Sequence, residues 1–508
     1  MGDHTGSPLR NNHLATNNNL AIFKRTCNAC PYRNVHSNRY YNLQTSRHGK
    51  AISADDRFPS PQRKPATIIT HYALRITHFF ITPRKEPVMN LITLQNGLRI
   101  FTYPQPELRS ATVGVWVASG SRYETEKSSG ISHFIEHIVF KGSEKRNAFE
   151  IAQAMDEIGA AVNAYTTKEY TFFYVRALDY QIENAADIFF DMLKNPKLDE
   201  DDIETEKGVI LEEISMCEDD PADVCCEVSE SAVFSGCGLC REILGTRGSV
   251  SAFQREDFVA HLEKFYVPER TVIGVSGNFD EEKILDIIKR FYGDDKNTGN
   301  PLCETEVPFH TGFTVRKREF EQTHIILAFN GIGIRHEDLY PLQLCLFILG
   351  TGSSSRLNQR IREQLGLVYS IDAYLSRYLG GGCIAVQMSL SPQSEKTAIE
   401  ETVRIIKALS GTLTEKELKC AKEKLTASLI MSREQPQSKL SSFGYTQLML
   451  SAFIDDDEII ESIKNVTLAD VKEAAERYLD LKKISFTAVG KTKDEEFYRK
   501  VIENAVKN

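Results

Sequence analysis

Two related halves, each mixing strands and helices, are what this 508-residue sequence predicts from Met89 onward. Three observations carry that α+β reading. Strand-like runs alternate with amphipathic helical runs throughout residues 89–508. Segments of the first half are echoed in the second: "HLEKFYVPERTVIGVSG" by "AAERYLDLKKISFTAVG", and "AMDEIGAAVNAY" by "IREQLGLVYSIDAY", which aligns Gly159 with Gly366. A repeat unit of about 200 residues means duplicated domains rather than a solenoid. Residues 1–88, finally, differ in composition from everything that follows.

That first segment is rich in Asn, Arg, His and Pro and shows no sustained period, so it is expected to be a disordered or spurious N-terminal extension. It lacks the apolar stretch of a secretory signal. Its Arg-rich, acid-poor character suits an organelle transit peptide, but the preferred expectation is that translation naturally begins at Met89. Residues 1–88 hold thirteen Lys and Arg against four Asp and Glu, so the body holds 48 against 66, a net of −18. Such acidity argues against nucleic acid and suits basic or unfolded peptides. No run of eighteen apolar residues exists, and no membrane span is expected. The 11 cysteines form no framework, which points to reduced thiols and a reducing compartment. Cys27/Cys30 and Cys237/Cys240 are C-x-x-C pairs. With Cys225 and Cys226 the second pair makes a four-thiolate zinc site conceivable. The spacing fits no zinc-finger pattern, however, and these are read as packing or loop thiols.

The body opens with "MNLITLQNGLRIFTY", two strands around an Asn96-Gly97 turn, followed by the strand "ATVGVWVASG". "ISHFIEHIVFKG" at 131–142 reads as a buried helix, because Ile131, Phe134, Ile135, Ile138, Val139 and Phe140 leave no wide polar face. Two histidines and a glutamate are costly there unless bonded or metal-bound. His133 and His137 are four apart, so both imidazoles share one face with β-carbons roughly 5–6 Å apart. Glu136 sits beside any ion they hold, poorly placed as a ligand but well placed as a general base.

A catalytic zinc site usually takes a third protein ligand. "DEDDIETEKGVILEEISMCEDDP" at 199–221 predicts a helix with an acidic start at Asp199–Asp202 and a stop at Asp220-Pro221. Ile203, Ile210, Ile214 and Cys217 fall within about 60° of one another on it, and Val209 and Met216 widen that apolar sector. Glu206 and Glu213 lie in the middle of the sector, whereas Glu212 points toward solvent. Helical phase does not rank Glu206 against Glu213. "ERTVIGVSGNFDEEKILDIIKRFYG" is a strand running into an amphipathic helix, and a polar Gly/Pro/Asn linker follows at 294–308. The second half, 309–508, repeats the pattern without the histidine pair, so one copy is expected to carry the metal chemistry and the other a supporting task.

H-x-x-E-H is the inverzincin order. With Glu213 lying 76 residues beyond His137, residues 89–508 resemble the pitrilysin/insulinase family of zinc peptidases, family M16. The similarity is to its short-chain branch, which includes the mitochondrial processing peptidase β subunit and bacterial processing proteases. The resemblance implies two homologous α/β-sandwich domains, each a mostly antiparallel sheet with helices packed on it, with 89–293 catalytic and 309–508 substrate-binding. It implies one zinc per chain held by His133, His137 and Glu213, with Glu136 as base and Glu206 supporting. "VNAYTTKEYTFF" resembles the family's substrate-pairing edge strand, implicating Asn163 and Ala164, and "SSSRLNQRIREQLGLVYSI" its second-half signature, implicating Arg362 and Tyr369. The implied activity is that of a metalloendopeptidase acting on extended peptides or presequences in a dimeric chamber. The implied assembly is a homodimer, or a heterodimer with a related chain. The implied location is the bacterial cytoplasm, or the mitochondrial matrix if residues 1–88 are a transit peptide. A catalytically silent scaffold of the same family is the alternative. "SGCGLCREILG" departs from the family pattern by placing cysteines where a histidine and a small residue are usual.

Overall fold

A computed structural model describes residues 89–302 and 304–507. The expectations for residues 1–88, including the Cys27/Cys30 pair, lie outside the described residues. The first half runs β1 (Asn90–Thr93), β2 (Arg99–Pro104), β3 (Ser110–Val117), α1 (Ile131–Ile138), α2 (Ala148–Glu157), β4 (Ala161–Thr166), β5 (Thr171–Leu178), α3 (Ile182–Lys194), α4 (Glu200–Asp219), α5 (Pro221–Val233), α6 (Arg247–Ala252), α7 (Arg255–Phe265), β6 (Thr271–Gly277) and α8 (Glu281–Tyr292). The second runs β7 (Gly312–Lys317), β8 (Thr323–Asn330), α9 (Leu339–Leu349), β9 (Val368–Tyr378), β10 (Gly381–Leu390), α10 (Glu395–Thr412), α11 (Glu415–Arg433), α12 (Pro436–Leu450), α13 (Asp456–Asn465), α14 (Leu468–Tyr478), β11 (Ser485–Gly490) and α15 (Glu495–Lys507).

Duplication is visible in the strand order. The first sheet is β1-β2-β6-β3-β5-β4 and the second β7-β11-β8-β10-β9. Setting β1 aside, each places its first strand beside its last, then its second, fourth and third. In each, the pairing of first and last strand is parallel and the others are antiparallel. Gly159 and Gly366, equated by the sequence repeat, both have positive φ, 65° and 61°, and both precede the edge strand. A side chain other than Gly would be strained at either position.

Alternation along the strands sorts the apolar residues into opposite faces. Val113, Val115, Val117, Phe173, Val175, Ile273 and Val275 face the helices of the first half. Phe101, Trp116 and Phe172 face the other way and are covered by Leu440, Phe443, Leu448 and Met449 of α12, a helix of the second half. The second sheet mirrors this arrangement. One face packs on second-half helices, and the other takes Val224, Cys225, Val228 and Val233 of α5, a helix of the first half. Each half therefore lends one helix to the other's sheet. Burying four large side chains of α12 contributes roughly 1.5–3 kcal/mol apiece. Gly444 permits the fit, since a Cβ there would lie 2.2 Å from the Trp116 indole.

Candidate metal centre

The helix expected over 131–142 is shorter, because the chain tightens into i→i+3 turns after Ile138 and leaves at Gly142. Seven of the eight residues of α1 are buried. Its N-cap is Gly130, which offers no side chain, and the buried Glu124 carboxylate takes over that task. Glu124 accepts the Gly130 and Ser132 amide protons at 2.7 and 2.9 Å. An anion at a helix N-terminus is favourable. Burial nevertheless pushes the Glu124 carboxyl up to about 7, against the pull of the two backbone donors. Behind the helix, Ser132 Oγ lies 3.1 Å from Ser119 Oγ, and His261 Nε2 lies 2.8 Å from Ser119 Oγ. Burial, with Lys264 and Arg270 nearby, lowers His261 to about 3 and keeps that anchor neutral.

The opposite face carries His133, Glu136 and His137. The two imidazole rings are 4.6 Å apart at their centroids. α4 begins at its N-cap Asp199 and gives way to α5 at Asp220-Pro221, as its sequence signals indicate. It delivers Glu213 so that Oε2 lies 3.6 Å from Nε2 of both His133 and His137. The three donor atoms lie within 4.8 Å of one another. A tetrahedral ion with bonds of ~2.1 Å has donor–donor edges of about 3.4 Å, so two nitrogens and a carboxylate oxygen in this arrangement fit zinc in size and donor type.

Glu206, two turns before Glu213 on the same helix α4, is buried. His137 Nδ1 donates to Glu206 Oε1 at 2.7 Å, which leaves Nε2 as the lone-pair nitrogen facing Glu213, and Lys141 Nζ sits 2.5 Å from Glu206 Oε2. Burial works to lower His137, but the Glu206 hydrogen bond and the surrounding carboxylates outweigh it and raise its pKa. Burial works to raise Glu206, and the His137 and Lys141 contacts bring it below the usual carboxylate range. Glu136 receives a 2.7 Å hydrogen bond on Oε2 from Thr166 Oγ1, at the end of edge strand β4.

One expectation about α4 is corrected. Val209 and Met216 are exposed, 40% and 61%, and do not widen its buried sector. They sit at i−4 and i+3 from Glu213 on the helix surface, so their apolar character is not spent on the core. Glu212 is exposed.

Asn163 and Ala164 lie on β4 at the free edge of the first sheet, where Asn163 Oδ1 accepts the Ala164 amide proton at 2.9 Å. The duplicated edge strand β9 repeats the device with Asp372 and Ala373, also at 2.9 Å. Arg362 lies in a π-helical turn, Asn358–Gln364, just before β9, and Tyr369 on β9 itself. Both belong to the second sheet's end of the chain, and Tyr369 is 66% exposed. The sequence reading missed Glu124, Lys141 and Thr166. An acidic residue upstream of a helix that starts on glycine, and a lysine one turn beyond His137, are the local signals for the first two.

The family described as "Insulinase (Peptidase family M16)" matches residues 99–247, and "Peptidase M16 inactive domain" matches residues 252–425. An uncharacterized zinc protease of Bacillus subtilis, YmxG, is 37% identical over 386 residues, covering 75% of this chain and 94% of that protein. One from Mycobacterium leprae is 34% identical over 394 residues, covering 76% and 88%. Among solved structures, a protease from Helicobacter pylori superposes with a TM-score of 0.75 at 19% identity, covering 79% of this chain and 99% of that one. At that identity the likeness concerns the fold.

Proposed function

Because the chain belongs to peptidase family M16, the insulinase family, we propose that it is a zinc-dependent endopeptidase acting on extended peptides. The observation that carries this reading is the convergence of His133, His137 and Glu213, with Glu136 beside them and tied to an edge strand. Zinc held by the three would supply Lewis acidity toward water and the scissile carbonyl. Glu136 takes the attacking water's proton and delivers it to the leaving amine. Thr166 fixes the Glu136 carboxylate, and Glu206 fixes the His137 ring and its tautomer.

Substrate adds as a strand along β4, with its main chain opposite Asn163 and Ala164. Such backbone reading tolerates many sequences, so the acidic body selects basic or unfolded peptides, presequences among them. Residues 89–293 then form the catalytic domain and 309–508 the substrate-binding domain, with Arg362 and Tyr369 as its contacts. Because one chain carries both sets, a homodimer in which each metal centre faces the second half of the opposite subunit is the economical assembly.

The test is metal analysis with a panel of quenched peptides, on wild type and Glu136→Gln. Zinc in both proteins, with hydrolysis in the wild type alone, is the expected result. A zinc-loaded wild type that cleaves no peptide would favour the silent scaffold.

A further inference from the structure

The loop after α5 holds the sequence feature that the peptidase reading leaves unused, Cys237-Gly238-Leu239-Cys240. Residues Gly238–Cys240 form a 3-10 turn with Cys237 as its N-cap, and the Cys240 amide closes the turn on the Cys237 carbonyl at 3.2 Å. Positions i and i+3 of such a turn have Cα atoms less than ~7 Å apart, and a disulfide spans roughly 4.4–6.8 Å. N-cap and N3 are also close enough that, in a capping box, each side chain reaches the other residue's backbone N–H. Both cysteines are half-buried. Leu239 between them is fully buried in the core under α5 and pins the turn. Cys217, Cys225, Cys345 and Cys383, by contrast, are buried.

The turn lies against the segment that seats α1. The Gly238 backbone rests so closely on Arg122 that a Cβ there would come within 1.8 Å of the Arg122 carbonyl oxygen. Further along the loop, Lys168 Nζ and Ser121 Oγ donate to the Arg241 carbonyl at 2.7 and 3.3 Å. A Cβ at Gly245 would lie 2.2 Å from the Ser129 carbonyl oxygen, next to the glycine that starts α1. Two residues beyond Arg122 is Glu124, whose carboxylate caps α1. Backbone contacts this tight have no slack, so a change in the turn is carried to the helix that holds His133 and His137.

We infer that Cys237 and Cys240 form a reversible dithiol–disulfide couple whose state is transmitted to the metal centre through Arg122 and Ser129–Gly130. The oxidant is a small-molecule disulfide of the glutathione class. One cysteine thiolate attacks it, forming a mixed disulfide and releasing one small thiol; the other cysteine thiolate attacks the protein sulfur of that bond and releases the second. The cysteine pair loses two electrons and two protons, and the external disulfide takes up both. The redox half of the inference is independent of the proposed peptidase activity, whereas its coupling rests on the metal site.

The full-length, zinc-loaded protein is reduced, exchanged into oxidised glutathione, and mapped by tandem mass spectrometry with alkylation. Expected is a Cys237–Cys240 disulfide that dithiothreitol reverses, and a glutathione adduct on Cys237 in Cys240→Ser. Zinc release to a chromogenic chelator should change at least about threefold on oxidation, and peptide turnover should fall comparably, modest beside the ~100-fold that a 1 Å misplacement can cost. Cys237→Ser/Cys240→Ser should show neither response. Absence of that disulfide, or pairing of these thiols with other cysteines, overturns the couple. A disulfide that leaves both zinc release and turnover unchanged overturns the transmission. An altered zinc release without any peptidase activity upholds the inference and counts against the proposed function alone.

Discussion

Thr166→Val removes the hydroxyl that donates to Glu136 Oε2 at 2.7 Å and leaves the shape of the side chain nearly unchanged. Thr166 and Glu136 are 5% exposed each, so water has little access to replace the lost donor. A hydrogen bond to a charged group is worth about 1.5–3 kcal/mol, and about 1.4 kcal/mol is a factor of ten in rate. If the bond serves to hold Glu136 in its reactive orientation, turnover should fall by roughly 10–100-fold. Zinc content should not change, since Thr166 contacts none of the three proposed ligands in the hydrogen bonds described. Thr166→Ser keeps the hydroxyl and should recover most of the rate. Steady-state kinetics with a quenched peptide, beside metal stoichiometry, separates these effects: kcat falls while KM and zinc hold. A Val variant within about twofold of wild type, or a Ser variant as slow as Val, would refute the idea that β4 orients the base.

His133→Ala, His137→Ala and Glu213→Ala should lose zinc by metal analysis, and Glu212→Ala should keep it; greater loss from Glu212 would contradict the geometry of α4. Glu206→Gln should weaken zinc retention about 10–100-fold in a chelator competition, since it disturbs the partner that fixes His137. Glu124 has a folded pKa of about 7, above the 4.5 of the free group, so its favourable contribution is complete below about pH 4.5 and disappears as the pH rises through 7. Wild type should therefore lose stability relative to Glu124→Gln between pH 5 and pH 8, by up to about 3 kcal/mol in urea unfolding; a pH-independent difference would dismiss the assignment. Mixing Glu136→Gln with Arg362→Ala/Tyr369→Phe under subunit exchange should restore part of the activity, and no recovery despite exchange would exclude composite sites in a homodimer.

Residues that a single periodic element relates are legible in the sequence alone. His133 and His137, or Glu206 and Glu213, are fixed relative to each other by 3.6 residues per turn, and the ends of α4 by Asp199 and Asp220-Pro221. What periodicity does not encode is which neighbour an apolar face meets. Val209 and Met216 read as core because they are apolar near the right phase, yet among the described residues they stand exposed beside Glu213. The apolar residues of α12 meet Trp116, more than 300 residues earlier, and no local pattern in either segment relates the two. Thr166 reaches Glu136 because the phase of β4 meets the phase of α1 on the sheet face that α1 covers, a relation between two elements that neither sequence segment carries alone. The same reasoning explains why Glu124 escapes a periodic reading: a capping carboxylate supplied from a loop obeys no helical spacing, only the need of buried amides at 130 and 132 for an acceptor. Legibility thus ends where an element's own repeat ends: Glu206 falls inside that limit because it shares α4 with Glu213, whereas Glu124 and Thr166 lie beyond it.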